Sequence, residues 1–317
     1  MFYVGIDFGG TNIKAGAINE NGRIICKGMI KTEKSKTYRE TVNDIVELIK
    51  GLFKTSGLDL SEIASIGMGV PGTCDSKRGL ILLAENIGYE YVPMADEIKK
   101  YFDVPVYITN DANCAAYGEY SKMDDKADDV VFVTLGTGIG GGIILNGKIF
   151  EGKNGTAGEI GHIPIEKNGE KCNCGMTGCW ERYASVSALV RMTERYAQEH
   201  PGSGVAKKIE FDGAVSGKTA FSLAKEGDEG GRVIVSEWIK NLSQGIITVI
   251  NMLQPEYIII GGGISREGDY ILNPLLEEIK KDTYYNSIEN KTKIITAKLF
   301  NDAGFVGAAL LGKGEID

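Results

Sequence analysis

Histidine, proline and tryptophan are scarce in this chain of 317 residues, which contains two, seven and two of them. Basic residues are also in the minority, since 35 Lys and Arg stand against 43 Asp and Glu and leave a formal net charge of −8. These basic residues form no stripe, whereas neutralising the phosphates of a nucleic acid requires clustered Lys and Arg. We therefore expect no nucleic-acid partner.

Long hydrophobic runs are missing as well. Apolar runs such as 257–260 fall far short of the roughly 20 residues that cross a bilayer, and the amino terminus lacks the basic start of a signal peptide. We expect a cytoplasmic protein with no membrane partner. Disulfides are rare in a reducing compartment, so the closely spaced Cys172, Cys174 and Cys179 indicate a metal site instead.

Glycine is the abundant residue, with 43 of 317 positions, roughly twice its average usage. Hydrophobic patterning alternates between strand and helix along the chain, which predicts α/β layers, and the length favours about two domains. The predicted helices cover 38–56, 94–102, 112–121, 185–199, 232–253, 273–283 and 306–311, and loops are expected at 202–204 and 227–231.

The first glycine turn follows an apolar strand in the segment GIDFGGTNIK, residues 5–14. A strand is predicted after the turn, and this excludes the dinucleotide fingerprint and the Walker loop, which both continue into a helix. Gly9 and Gly10 allow backbone amides to approach a phosphate, and Asp7 can hold a magnesium ion. The alternative is a glycine hairpin without a ligand.

Two more glycine turns occur at 136–142 and 261–263, and the hydroxyl of Thr137 adds a donor to the first of them. A second strand and an Asn146-Gly147 hairpin turn follow it, so the unit repeats the pattern of the amino terminus. Three turns that suit phosphate groups favour a nucleotide ligand.

One imidazole and three thiols lie close together in the sequence, at His162, Cys172, Cys174 and Cys179. This set suits tetrahedral zinc, and four protein ligands would make the ion structural, because no position stays open for substrate or water. The alternative is three unligated cysteines beside a packed histidine.

The pair Asn110-Asp111 follows a predicted strand and precedes a predicted helix. Asp111 can act as a general base that accepts the proton of an attacking hydroxyl. The alternative is that Asp111 only caps the helix that follows.

The order GIDFGGTNIK, ITNDANCAAYGE, TLGTGIGGGI and IIIGGGIS resembles the superfamily of sugar kinases, actin and heat-shock chaperones. The stretches GTAGEIGHIPI and CNCGMTGCWE are similar to the ROK family, named for repressors, open reading frames and kinases. The resemblance runs from Tyr3 to about Leu311. It implies an α/β fold of two actin-like, ribonuclease H-like lobes with a central cleft. We expect a small domain of 1–111 with a C-terminal helix at 303–317, and a large domain of 112–302 with a zinc loop at 162–181.

The resemblance also implies roles for individual residues. Asp111 matches the general base of ROK sugar kinases, and Asn110, Gly69, Glu159, His162 and Glu181 match positions on the sugar side. The residues expected to bind magnesium and ATP are Asp7, Gly9, Gly10, Thr11, Asn12, Lys14, Gly136, Thr137, Gly138, Gly261, Gly262 and Gly263. Zinc is expected on His162, Cys172, Cys174 and Cys179, where it would fix the segment that carries Glu159 and Glu181.

These matches predict an ATP-dependent hexokinase, most closely a glucokinase that makes the 6-phosphate, and a homo-oligomer, a dimer or tetramer. N-acetylmannosamine, N-acetylglucosamine, mannose and allose stay open as substrates, because the run NIGY at 86–89 departs from the run common in glucokinases. A ROK transcriptional regulator is the alternative of a different class. We expect no DNA-reading segment, since six residues precede Asp7. A sugar sensor without activity is disfavoured because Asp7, Asp111 and the glycine turns are present.

Overall fold

The computed structural model describes residues 1–125, 127–281, 284 and 291–313, and the chain divides into two compact units. The first unit contains Met1–Phe132, Gly142–Gly158 and the chain from Lys298, and the second contains Val133–Gly141 and Glu159–Ala297. These bounds differ from the expected domains of 1–111 with 303–317 and of 112–302, which stay a prediction.

The described residues of the first unit contain two complete sheets. The larger has the strand order β3-β2-β1-β4-β8 and the smaller the order β5-β6-β7. Strand β1 pairs antiparallel with β2 and parallel with β4, and β4 pairs parallel with β8. The strands are β1 (Phe2–Phe8), β2 (Asn12–Asn19), β3 (Ile24–Lys31), β4 (Ile63–Val70), β5 (Thr73–Asp75), β6 (Leu80–Ala84), β7 (Tyr89–Val92) and β8 (Val106–Asn110). The expectation of a strand after the first glycine turn is confirmed.

Helix α1 (Tyr38–Ser56) matches its predicted bounds because strong local signals mark both ends. Thr37 and Glu40 form a capping box at its start, and Gly57 ends it with a φ of 66°. Its buried side chains recur every three or four residues, as a helix that packs one face on a sheet requires. Helices α2 (Met94–Lys99) and α3 (Asp111–Tyr120) follow in the same unit.

A third sheet has the strand order β11-β10-β9-β12-β13. Its strands are β9 (Val130–Leu135), β10 (Ile139–Leu145), β11 (Lys148–Ile149), β12 (Tyr257–Gly261) and β13 (Lys293–Thr296). The predicted hairpin turn between β10 and β11 is confirmed, since Asn146 and Gly147 both have positive φ, at 52° and 72°.

Helices dominate the second unit: α4 (Glu181–Ala184), α5 (Val186–Glu199), α6 (Gly204–Asp212), α7 (Thr219–Glu226), α8 (Glu229–Leu253) and α9 (Asp269–Ile279). The prediction of a loop over 227–231 is wrong for residues 229–231, which belong to α8. Asp228 caps α8 by accepting from the Gly231 amide at 2.8 Å, so the helix begins before its glycines. The loop predicted over 202–204 ends at Ser203, which caps α6, and the helix begins at Gly204.

The last helix of the first unit, α10 (Ala303–Leu311), packs on α3 and on the larger sheet. The helix predicted over 303–317 therefore ends at Leu311, and its residues 314–317 lie outside the described part of the chain. Asp282 and Thr283 of the helix predicted over 273–283 lie outside it as well. Within the described part, every helix is too short or too polar to cross a membrane.

Candidate active site

Asp7, Gly69 and Thr109 form one row across the larger sheet of the first unit. Asp7 on β1 pairs with Gly69 on β4, and Gly69 pairs with Thr109 on β8. All three strands are parallel, so their carboxyl ends share one edge. Neighbouring strands lie about 4.8 Å apart, which separates the backbones of Asp7 and Thr109 by roughly 10 Å. Asp111 begins the helix two residues after Thr109.

Asp7 occupies a partly buried position beside a lysine. Its side chain is 20% exposed, and its Oδ2 lies 3.4 Å from Nζ of Lys14. Burial raises the pKa of the Asp7 carboxyl above its ordinary value, and Lys14 offsets only part of that rise. A carboxylate whose charge is incompletely compensated gains from binding a cation. The position of Asp7 therefore suits its predicted role as a magnesium ligand.

The first glycine turn is held by hydrogen bonds among residues at the ends of β1, β2 and β3. The Gly9 amide donates to the Asn12 carbonyl at 3.0 Å. The hydroxyl of Thr32 donates to the Gly9 carbonyl at 2.6 Å, and the Thr32 amide donates to the Thr11 carbonyl at 2.9 Å. The turn is thus fixed before any ligand arrives, with Gly10 at its tip.

Asn110, and not Asp111, is the cap of α3. The alternative that Asp111 only caps this helix is therefore wrong. Asn110 Oδ1 accepts from the amides of Ala112 at 2.8 Å and Asn113 at 3.3 Å, and Nδ2 donates to the Gly72 carbonyl at 3.0 Å. Asp111 is the first helical residue, and its Oδ1 also accepts from the Ala112 amide at 2.8 Å. A helix amino terminus stabilises an ionised carboxylate, which is the form a general base needs.

A hydrogen-bond network beside Asn110 contains four residues that were not among the predicted site residues: Ser76, Thr109, Asn113 and Glu151. The hydroxyls of Thr109 and Ser76 both donate to the Glu151 carboxylate, and Asn113 Nδ2 donates to Thr109 Oγ1 at 3.3 Å. This network joins β8 to the chain around Glu151 directly before the Asn110-Asp111 pair. No motif marks Glu151, so only its contacts reveal the link.

The second unit brings Glu181 to the glycine turn between β9 and β10. Its Oε2 accepts from the Ile139 amide at 3.1 Å. A Cβ on Gly138 would lie 2.1 Å from the same oxygen, so only glycine leaves room for the carboxylate. The third turn packs beside it, since Gly262 has a φ of 86° and a Cβ there would lie 2.1 Å from the Leu135 carbonyl oxygen. Residues predicted for sugar and for nucleotide thus meet in this unit.

His162, Cys172, Cys174 and Cys179 offer four ligand atoms that all lie within 4.8 Å of one another. Cys172 Sγ is 3.7 Å from His162 Nδ1, and Cys174 Sγ is 3.6 Å from Cys179 Sγ. Tetrahedral zinc, with bonds of about 2.0 to 2.3 Å, separates its ligands by roughly 3.5 to 3.8 Å. The donor set and its spacing therefore fit the ion.

The two nitrogens of His162 face different groups. Nδ1 points to the thiols, whereas Nε2 lies 3.9 Å from Oε2 of Glu159, whose side chain is 59% exposed. A ligating histidine commonly turns its other nitrogen to a carboxylate. This arrangement makes the two predicted roles of His162 compatible, because Nε2 can still donate to a hydroxyl.

The architecture is the actin-like ATPase fold, and solved ROK kinases share it. A ROK family glucokinase from Streptomyces griseus, crystallised with glucose and AMPPNP, superposes with a TM-score of 0.84 at 34% identity and covers 99% of both chains. The ROK family profile matches residues 3–315, and the chain belongs to this family.

The relatives include an enzyme and a regulator. The glucokinase of Halalkalibacterium halodurans is 36% identical over 99% of this chain and 96% of its own length. A xylose repressor of Caldicellulosiruptor bescii is 30% identical over 96% of this chain and 76% of its own length. The family therefore contains both classes considered from the sequence.

Proposed function

We propose that the protein is an ATP-dependent hexokinase that phosphorylates glucose at its 6-hydroxyl. The observation that carries the proposal is the placement of Asp7 and Asp111 along one edge of the larger sheet, about two strand spacings apart. One carboxylate can hold the metal of a nucleotide while the other faces the accepting hydroxyl. The similarity to glucokinases over nearly the whole chain supports glucose as the acceptor.

Asp111 is the proposed general base. Its carboxylate accepts the proton of the 6-hydroxyl as that oxygen forms a bond to the γ-phosphorus and the bond from phosphorus to the bridging oxygen breaks, which releases ADP. Asn110 Oδ1 accepts from the first amides of α3, those of Ala112 and Asn113, and Asp111 Oδ1 shares the Ala112 amide. The cap and the base are thus separate residues with adjacent tasks.

The glycine turns supply the nucleotide contacts in this proposal. Backbone amides near Gly10 and Gly136–Gly138, with the Thr137 hydroxyl, would bind phosphate oxygens, and Gly261–Gly263 would lie against the adenosine. Asp7, with Lys14 beside it, would hold Mg²⁺ through its hydration shell. When bound, Mg²⁺ neutralises charge that develops on the phosphates.

The sugar contacts in this proposal are the residues that match sugar positions of ROK sugar kinases, namely Asn110, Gly69, Glu159, His162 and Glu181. Carboxylates, an amide and an imidazole suit a pyranose, which alternates donors and acceptors around its rim. Zinc on His162 and the three cysteines would tie Glu181 to the loop that carries Glu159. A cytoplasmic location, where thiols stay reduced, agrees with this ligand set.

A coupled assay of ADP release tests the proposal across glucose, mannose, allose, N-acetylglucosamine and N-acetylmannosamine. We expect kcat/KM for glucose to exceed that for either N-acetyl sugar by at least about tenfold, or about 1.4 kcal/mol of transition-state binding. A preference for an N-acetyl sugar or allose would keep the kinase and refute the glucokinase. Absence of transfer to every sugar, together with sugar-dependent DNA binding, would favour the regulator.

A further inference from the structure

Glu119, near the end of α3, is a buried carboxylate with an unusual set of partners. It is 3% exposed, and it accepts from three successive backbone amides, those of Lys298 at 2.7 Å, Leu299 at 2.8 Å and Phe300 at 3.0 Å. Hydrogen bonds to an ionised acceptor are roughly twice as strong as neutral ones. The carboxylate thus fixes the backbone of this segment, which joins β13 to α10.

The segment held by Glu119 has a backbone that would not persist unaided. Phe300 has a φ of 50°, in the left-handed region that residues with a Cβ seldom adopt. Such a conformation costs on the order of 1 kcal/mol or more and persists only where the surroundings impose it. Two of the three amides bonded to Glu119 are those of Phe300 and its predecessor, so this carboxylate supplies the constraint.

The next residues contact the predicted nucleotide site. The Asn301 carbonyl accepts from Nζ of Lys14 at 3.2 Å, and Lys14 in turn lies 3.4 Å from Asp7. A Cβ on Gly304 would lie 2.8 Å from Cγ of Asp7, so the start of α10 also packs directly on that carboxylate. A continuous path of contacts therefore leads from Glu119 to Asp7.

The two helices on this path are closely packed. A Cβ on Gly118 would lie 2.3 Å from the Ala303 carbonyl oxygen, and one on Gly307 would lie 1.7 Å from the Cys114 carbonyl oxygen. Helix α3 therefore approaches the start of α10 at backbone distance, and its register there is fixed. The same helix begins with Asp111.

We propose that Glu119 is a positioning residue for the nucleotide end of the site. By holding the amides of 298–300, it places the Asn301 carbonyl so that Lys14 is oriented beside Asp7. The inference rests on the proposed kinase function, in which Asp7 and Lys14 serve the nucleotide and Asp111 serves the sugar. It predicts that losing the carboxylate weakens nucleotide binding far more than sugar binding.

The test is Glu119→Gln, which keeps the size of the side chain but leaves one oxygen to accept from three amides. We expect KM for MgATP to rise about tenfold or more, with KM for glucose within twofold of wild type and a cooperative melting transition retained. Asp124→Asn is the matched control. Asp124 accepts from Lys298 Nζ at 2.6 Å, is 90% exposed and leaves the amides of the segment untouched. It should leave both KM values unchanged.

Two further measurements separate positioning from general damage. In a double-mutant cycle that combines Glu119→Gln with Lys14→Met, the two effects on KM for MgATP should be markedly less than additive, since both changes act on one path of contacts. In Glu119→Asp the side chain is too short to reach all three amides, so KM for MgATP should also rise. This variant replaces Glu119→Gln as the test if the glutamine variant fails to fold.

Equal rises in both KM values, or additivity with Lys14→Met, would overturn the inference. Direct binding of MgAMPPNP to wild type and Glu119→Gln gives a readout that needs no sugar transfer. A wild-type protein that transfers phosphate to no sugar refutes the proposed function. Unchanged nucleotide affinity in Glu119→Gln refutes the role of Glu119 alone.

Discussion

Replacing Gly138 by alanine should damage sugar binding through Glu181. The added Cβ would lie 2.1 Å from Glu181 Oε2, whereas non-bonded heavy atoms rest at about 3.5 Å. The carboxylate must therefore retreat by roughly 1 Å or more, and its bond from the Ile139 amide, now 3.1 Å, would be lost.

The size of the effect follows from that bond. A hydrogen bond to a charged group contributes about 1.5 to 3 kcal/mol, which is roughly a 10- to 150-fold change in affinity. We expect KM for glucose to rise by such a factor in Gly138→Ala. The assay is initial rate against glucose at saturating MgATP, repeated against MgATP at saturating glucose.

Gly202→Ala is the matched control. Gly202 lies in the turn before α6, and a Cβ there would have open space around it. This variant should keep both KM values. If Gly138→Ala bound glucose as wild type does, the reasoning that places Glu181 on the sugar would be refuted; if only KM for MgATP rose, the turn would act on the nucleotide without Glu181.

Three other changes test the remaining parts of the site. Asp111→Asn should lower kcat by about 10²- to 10⁴-fold with unchanged melting, because the amide oxygen can still accept from Ala112; near-normal turnover would remove Asp111 from the mechanism. Cys174→Ser should lower the zinc content, measured by metal analysis, below one equivalent per chain and should raise KM for glucose. Asn173→Ala, which lies outside the set of four proposed ligands, should change neither. Full activity of metal-free protein would contradict a structural zinc. Asp7→Asn should raise Tm of the ligand-free protein at pH 7 while weakening MgATP binding, because a carboxyl whose pKa is raised on folding favours unfolding once it ionises. That gain in Tm should vanish as the pH falls below the ordinary Asp value of 3.8, where the wild-type carboxyl is protonated in both states; a lower Tm at pH 7 would contradict it.

The sequence by itself determined the elements that local signals mark. The capping box at Thr37 and the glycine at 57 bound α1, and the Asn146-Gly147 pair sets its hairpin turn, because these residues act on backbone within four positions. The cluster of His162, Cys172, Cys174 and Cys179, which could hold a metal ion, was also readable, since its three cysteines fall within eight residues.

Tertiary structure decided the contacts between distant segments. Whether Asn110 or Asp111 caps α3 depends on the Gly72 carbonyl that anchors the asparagine amide, and the fit of Glu181 depends on Gly138, 43 positions earlier. Glu119 and Phe300 are 181 positions apart, and no local sequence pattern around either residue predicts the hydrogen bond between them. Pairs of this kind form only once packing has brought their helices and strands together, because the carboxylate and the amides that donate to it lie in segments far apart in the sequence.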